Sequence, residues 1–252
     1  MADTPLGGKV AIVTGAGNNI GRAIALGLAE DGAAVMVNGR SDRFAIDDVA
    51  GEIRSAGGTA LPLLADVSDD LAVAAMIEQT VAELGGVDIV VSNAGLRRQT
   101  PFQEMAYAEW REILSVALDG AFLLARAAVP YMVARGGGAF VGMSGVSHHV
   151  GTAGRAHVNA SKAGLEGFIR GLAVELAPDN ITANTVAPGA IDTVRGASAG
   201  GSTADVAIPG IPLGRRGRVE EIAAAVRFLV GPSGAYVTGQ TLHVNGGLFL
   251  AK

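Results

Sequence analysis

Two stretches of this 252-residue chain carry side chains and spacings suited to chemistry. The first reads Thr14-Gly15-Ala16-Gly17-Asn18-Asn19-Ile20-Gly21-Arg22, a glycine-spaced turn between a short apolar run and an amphipathic stretch. Gly15 permits a tight turn and Gly17 leaves room for a pyrophosphate. Gly21 lets helix and strand pack closely, and the free amides around Asn18, Asn19 and Ile20 attract phosphate oxygens. The second stretch runs from Ser144 to Lys162 and includes Ser147, His148, His149 and His157. Its histidines read either as general acids near neutral pH or as partly exposed loop residues. No metal is expected from them, because no carboxylate or Cys completes an evident ligand pattern.

The elements that would position these groups follow from periodicity. Short apolar runs at Val10 to Thr14, Ala34 to Asn38, Ala60 to Leu64, Asp88 to Ser92, Ala139 to Met143, Thr182 to Ala187 and Thr241 to Val244 have the length of strands. Longer amphipathic stretches at Ile20 to Glu30, Asp42 to Ser55, Leu71 to Leu84, Tyr107 to Ala134, Asn159 to Leu176 and Val219 to Val230 read as helices. This alternation predicts an α/β chain of the Rossmann type, a doubly wound, seven-stranded parallel sheet with helices on both faces. The chain is expected to be one nucleotide-binding domain over residues 1–252. The segment 195–214, rich in Gly, Ala and Ser and ending near Pro209 and Pro212, is too long for an ordinary connection. It reads as a substrate lid or as a surface insertion.

Two further loops support a nucleotide site: Ala65-Asp66-Val67 after the third strand and Asn93-Ala94-Gly95 after the fourth. With the glycine turn they fall at the carboxyl ends of adjacent strands, where a doubly wound sheet binds its ligand. Cofactor choice turns on the end of the second strand, where an acid would accept hydrogen bonds from the ribose hydroxyls of NAD. The chain reads Asn38-Gly39-Arg40-Ser41 instead, and Arg40 with the Ser41 hydroxyl suits a 2′-phosphate. NADP(H) is therefore favoured, with NAD(H) as the alternative and Arg40 then a solvated or adenine-stacking charge.

Composition narrows the remaining classes. A formal net charge of −5 and the lack of a Lys/Arg run give no footprint for nucleic acid or an anionic membrane. The chain has no Cys, which excludes disulfides and thiolate chemistry. Met1 to Lys9 has no long apolar stretch, so neither a signal peptide nor a membrane span is expected there, and the protein is read as cytoplasmic with a small-molecule substrate.

Taken together, the turn from Thr14 to Gly21, Asp66 and Asn93-Ala94-Gly95 resemble the short-chain dehydrogenase/reductase family. The resemblance continues through Ser161-Lys162, Pro188-Gly189-Ala190-Ile191-Asp192-Thr193, Tyr236-Val237-Thr238-Gly239-Gln240 and Asn245-Gly246-Gly247. It implies adenine contacts from Asp66 and Val67, a backbone wall at Asn93 to Gly95, nicotinamide contacts near Pro188, Gly189, Ile191 and Thr193, and a ribose contact from Lys162. Asn19 stands where the family usually has its second glycine, a tolerable change if its backbone takes a positive φ.

The same resemblance exposes departures. The family places a Tyr four residues before the active-site Lys, where positions i and i+4 share a helix face; here that residue is Val158. The usual Ser falls at Gly145 and the usual Asn at Ala117. A shift by one residue would pair Ser144 with His157, but His157 precedes Lys162 by five positions, about 140° around a helix. The candidate catalytic set is therefore Lys162 with Ser144 and His157 as substitutes. The leading reading is an oxidoreductase acting on a small carbonyl/alcohol or imine. The alternatives are a redox-silent cofactor-binding subunit beside an active paralogue, and a non-redox lyase or isomerase. The family also implies a homotetramer or homodimer, to which Gly167 and Gly171 with Leu165, Phe168 and Leu172 could contribute.

Overall fold

The structure is a computed structural model that describes residues 4–193 and 210–251. The strands are β1 (Val10–Val13), β2 (Ala34–Gly39), β3 (Ala60–Leu64), β4 (Ile89–Ser92), β5 (Gly138–Met143), β6 (Ile181–Pro188) and β7 (Thr241–Val244). They form one parallel sheet in the order β3-β2-β1-β4-β5-β6-β7. Strands β1, β4 and β5 are apolar along nearly their whole length because helices cover both faces.

The helices are α1 (Asn19–Glu30), α2 (Arg43–Ser55), α3 (Asp70–Leu84), α4 (Tyr107–Leu114), α5 (Gly120–Ala134), α6 (Ser147–Val150), α7 (Ala156–Glu175) and α8 (Val219–Val230). On one face Ile24 and Leu28 of α1, Ile46 and Val49 of α2 and Val226 of α8 pack on Val35, Val37 and Val91. On the other, Met76 and Ile77 of α3, Leu124 of α5 and Leu165 and Ile169 of α7 pack on Ile12, Val90 and Phe140. Asp42 and Asp69 cap α2 and α3 by accepting from the Ala45 and Ala72 amides, contacts each worth about 1 kcal/mol.

Three departures from the periodicity matter for the site. The stretch Tyr107–Ala134, apolar and long enough to cross a membrane, is a continuous helix less than half buried that packs on this sheet through α5 and carries a π-turn at Ser115–Asp119 that contains Ala117. Helix α7 begins at Ala156, before the expected Asn159, so His157 lies inside its first turn. A short helix, α6, forms from Ser147–Val150, where no element was expected. Of the segment 195–214, residues 195–209 lie outside the described residues.

Strand order reverses between β1 and β4. The loops leaving β1 and β4 part there and open a crevice at the carboxyl edge of the sheet.

Candidate active site

The crevice is a cleft of about 1430 Å³. It is lined by Gly15, Gly17, Asn18, Asn19, Ile20 and Gly21, by Arg40 and Ser41, by Asp66 and Val67, by Asn93, Ala94 and Gly95, and by Gly189, Ile191 and Thr193. Thus every expected cofactor residue except Pro188 and Lys162 borders one cavity. Pro188 closes β6 immediately before Gly189 and accepts from the Val146 amide at 3.0 Å.

The glycine turn has the geometry a phosphate cradle requires. A Cβ on Gly21 would fall 2.2 Å from the Gly15 carbonyl oxygen, so only glycine lets the helix begin so close to the strand. Asn19 has φ 49°, the positive value its backbone needed. Asn93 Nδ2 donates to the carbonyls of Thr14 and Gly15 at 2.9 and 3.1 Å, tying the turn to the loop after β4. Thr14 Oγ1 accepts from the amides of Asn93 and Ala94, both at 3.0 Å. Sequence reasoning singled out Asn93 but missed this hydroxyl, because the two residues lie 79 positions apart.

At the far end of the cleft, Asp66 Oδ1 accepts from the Ser68 amide and hydroxyl at 2.9 and 2.6 Å. Burial works to raise its carboxyl pKa, but these bonds and the Arg40 charge bring it below the ordinary range. The residues present fit a dinucleotide: a backbone cradle for pyrophosphate, a cationic end at Arg40 and Ser41, and an ionised carboxylate at Asp66.

The catalytic candidates are placed differently. Lys162 is half-buried beneath Gly95, and its Nζ donates to the Met143 carbonyl at 2.5 Å. Burial, helped by the Arg97 charge, lowers its pKa from 10.5 to about 8. Val158, one turn before it on α7, is 5% exposed. Ala117 is buried in the π-turn, and a Cβ on Gly145 would meet no atom within 4 Å.

Ser144 and His157 are engaged elsewhere. Ser144 Oγ donates to Glu166 Oε1 at 2.7 Å, and the residue is 8% exposed. His157 is fully buried; its Nε2 meets Glu109 Oε1 at 2.9 Å while Nδ1 accepts the Val158 amide at 3.0 Å. Neither side chain borders the cleft. The expected substitution of a Ser144–His157 pair for the usual Ser and Tyr is therefore not what the geometry presents: the early start of α7 turns His157 away from Lys162.

Leu96, Arg97, Val146 and Val150 also line the cleft, whereas Met143 is buried in the core and Phe102 stands 76% exposed outside it. Arg98 is held by both carboxylate oxygens of Glu112. Arg155 and Arg216 also line the cleft, and no sequence motif flagged them.

Residues 15–249 match the family described as enoyl-(acyl carrier protein) reductase. The 3-oxoacyl-[acyl-carrier-protein] reductase FabG of Escherichia coli strain K12 is 40% identical over 245 residues, covering 96% of this chain and 98% of the relative. The chain belongs to the short-chain dehydrogenase/reductase family. The same reductase from Staphylococcus aureus strain Mu50 is 38% identical over 242 residues, again 96% and 98% of the two chains. Among solved structures, a double mutant of a short-chain dehydrogenase/reductase from Serratia marcescens superposes with a TM-score of 0.90 at 33% identity, covering 97% of this chain and 99% of that one. A blue fluorescent protein from a metagenomic library, solved in complex with NADPH, gives 0.91 at 35% identity, covering 98% and 100%. The family's members include reductases, so the cleft is that of an oxidoreductase fold carrying its nucleotide cradle intact.

Proposed function

We propose that this protein is a cytoplasmic, single-domain NADP(H)-dependent oxidoreductase that acts on a small carbonyl/alcohol pair or an imine through a non-standard active site. When bound, the cofactor supplies or accepts the hydride. The observation that carries the proposal is the single cleft lined by the glycine turn, Arg40, Asp66, Asn93 to Gly95 and Gly189 to Thr193, with the Lys162 ammonium beside Gly95 and its pKa lowered by burial to about 8, near enough to neutrality to donate a proton. Lys162 would hold that proton at Nζ, just behind the cleft wall at Gly95, for a substrate oxygen or nitrogen brought against it, a task the family usually assigns to a Tyr at the position of Val158. Arg40 and Ser41 favour the 2′-phosphate, in keeping with the NADPH held by the blue fluorescent relative. FabG-like relatives make an acyl-type ketone the first substrate class to try.

The outward-facing glycines of α7 support a dimer or tetramer. A Cβ on Gly167 or Gly171 would meet nothing within 4 Å, which leaves a close-approach surface beside Phe122 and Phe168.

A second reading, a redox-silent cofactor-binding subunit of an active paralogue, is favoured by Ala117, Gly145 and Val158 together. One experiment separates the two. NADPH binding by calorimetry, followed by oxidation of bound NADPH across ketones, aldehydes and imines, supports the oxidoreductase. Binding without turnover on any of them supports the silent subunit, and loss of binding overturns both.

A further inference from the structure

Behind the cleft, on the side of β5 facing the end of the chain, lies a cluster that the proposed chemistry does not use. His148 and His149 belong to α6, and Glu166 projects from α7 one turn after Lys162. One oxygen, Glu166 Oε1, lies 3.2 Å from His148 Nε2 and 3.1 Å from His149 Nε2, and also accepts from Ser144. The three potential ligand atoms all lie within 4.8 Å of one another. The two imidazoles sit with centroids 3.8 Å apart.

Hydrogen bonding alone leaves this arrangement unsatisfied. The side chains of His148 and Glu166 are each 7% exposed. His148 Nε2 faces the carboxylate without hydrogen-bond alignment, and neither of its ring nitrogens has a hydrogen-bond partner among the described residues. A single divalent ion between the two imidazoles and the carboxylate satisfies all three donors.

We infer that His148, His149 and Glu166 form a binding site for one divalent transition-metal ion, with Zn²⁺ the best match. Tetrahedral zinc with ligands at about 2.0–2.1 Å places neighbouring donor atoms roughly 3.3 Å apart, close to the two separations at Glu166 Oε1. Two imidazoles and one carboxylate leave a fourth position for water or for the Ser144 hydroxyl. The donor set favours zinc, copper, iron or nickel over the oxygen-seeking Mg²⁺ and Ca²⁺.

The surroundings suit a structural ion. Phe249 stacks on His149 with centroids 4.7 Å apart, and His243 of β7 lies 4.7 Å from the same ring with its buried Nδ1 unpartnered. The ion would therefore bind the loop after β5, which borders the cleft at Val146, Ser147 and Val150, to α7 beneath the chain's C-terminal segment. The sequence alone hid the site because its carboxylate comes 17 residues after His149, on another helix.

The test begins with protein dialysed against a chelator. Zn²⁺ is titrated by calorimetry, Co²⁺ is added in parallel for its visible ligand-field bands, and melting temperature is read with and without Zn²⁺. Expected are one ion per chain, tetrahedral-type cobalt bands and a metal-dependent rise in melting temperature. Glu166→Gln and, separately, the milder His149→Gln should each weaken zinc binding by roughly a hundredfold or more, at least the loss that outer-shell changes cause. Each variant's fold is checked by circular dichroism, and the wild-type titration stands whether or not either variant folds. No binding by the wild type overturns the proposal, as does equal binding by folded variants, which would place the ion elsewhere.

Discussion

His157 Nε2 meets Glu109 Oε1 at 2.9 Å across 48 residues of sequence, joining a fully buried imidazole to a partly exposed carboxylate. Glu109 answers from α4, where its carboxyl is held below the ordinary range first by the Thr100 hydroxyl and then by His157. A ring with both nitrogens occupied and no exposed surface is built to hold α7 against α4.

Replacing it should therefore cost stability rather than catalysis. His157→Phe keeps the bulk but strips Glu109 and the Val158 amide of a partner, which should destabilise the protein by about 1–3 kcal/mol. Urea unfolding measures the loss, and kcat on any active substrate should stay within a few-fold of wild type. A hundredfold fall in kcat with unchanged stability would make His157 the proton donor instead.

Lys162 makes the opposite prediction. Its folded pKa of about 8 lies below the ordinary 10.5, so between those two values the unfolded chain binds more protons than the folded one. Stability from this group should rise as pH increases from about 8 to 10.5, by about 3 kcal/mol in all, and below that window the buried charge is a standing cost. Lys162→Met should thus be as stable as wild type or more so at pH 7, while reductive turnover falls by about 10² or more. In the wild type, kcat for reduction should decline as pH passes about 8 and the donor proton is lost. A flat pH profile, or a Met variant that keeps its rate, would remove Lys162 from the chemistry.

The side chains that the family usually carries at Ala117, Gly145 and Val158 can be put back. Gly145→Ser meets no atom within 4 Å of its new Cβ, so the hydroxyl enters open space. Ala117→Asn and Val158→Tyr enlarge buried positions, with an overpacking cost of about 1–3 kcal/mol each. If the cleft is otherwise competent, the triple variant should reduce simple ketones about 10² to 10⁴ faster than wild type in a stopped-flow NADPH assay. No gain in a folded, NADPH-binding variant would show that the cleft has lost substrate geometry as well as acid groups.

How much of this was legible in the sequence depends on the distance over which each feature is specified. The cradle from Gly15 to Gly21 is local, since one turn and one helix start fix it, and the positive φ at Asn19 was a condition the motif set that the backbone meets. The sheet followed because strands buried on both faces read as unbroken apolar runs. The π-turn inside the Tyr107–Ala134 helix did not, because it leaves the hydrophobic pattern continuous and alters only the hydrogen-bond ladder. The fates of Ser144 and His157 were hidden for a different reason: their partners, Glu166 and Glu109, are 22 and 48 residues away and belong to no motif. Where α7 begins decided which way His157 points, and helix boundaries are the least legible feature of a sequence.

The cofactor end offers a paired prediction with its own control. Arg40 is exposed at the rim of the cleft beside Ser41, with Asp66 near enough for its carboxylate to feel the charge. A guanidinium there can bind a 2′-phosphate through charge-assisted hydrogen bonds and gains little from a bare ribose hydroxyl. Arg40→Ala should weaken NADPH binding roughly 10- to 100-fold and leave NADH binding nearly unchanged, measured by fluorescence titration of both nucleotides. Gly21→Ala should abolish both, because its Cβ would lie 2.2 Å from the Gly15 carbonyl oxygen and 2.6 Å from Asn93 Nδ2, forcing apart the turn that holds the pyrophosphate. If Arg40→Ala weakened the two nucleotides equally, the guanidinium would be stacking on the adenine, and the preference for the phosphorylated cofactor would have to come from elsewhere in the cleft.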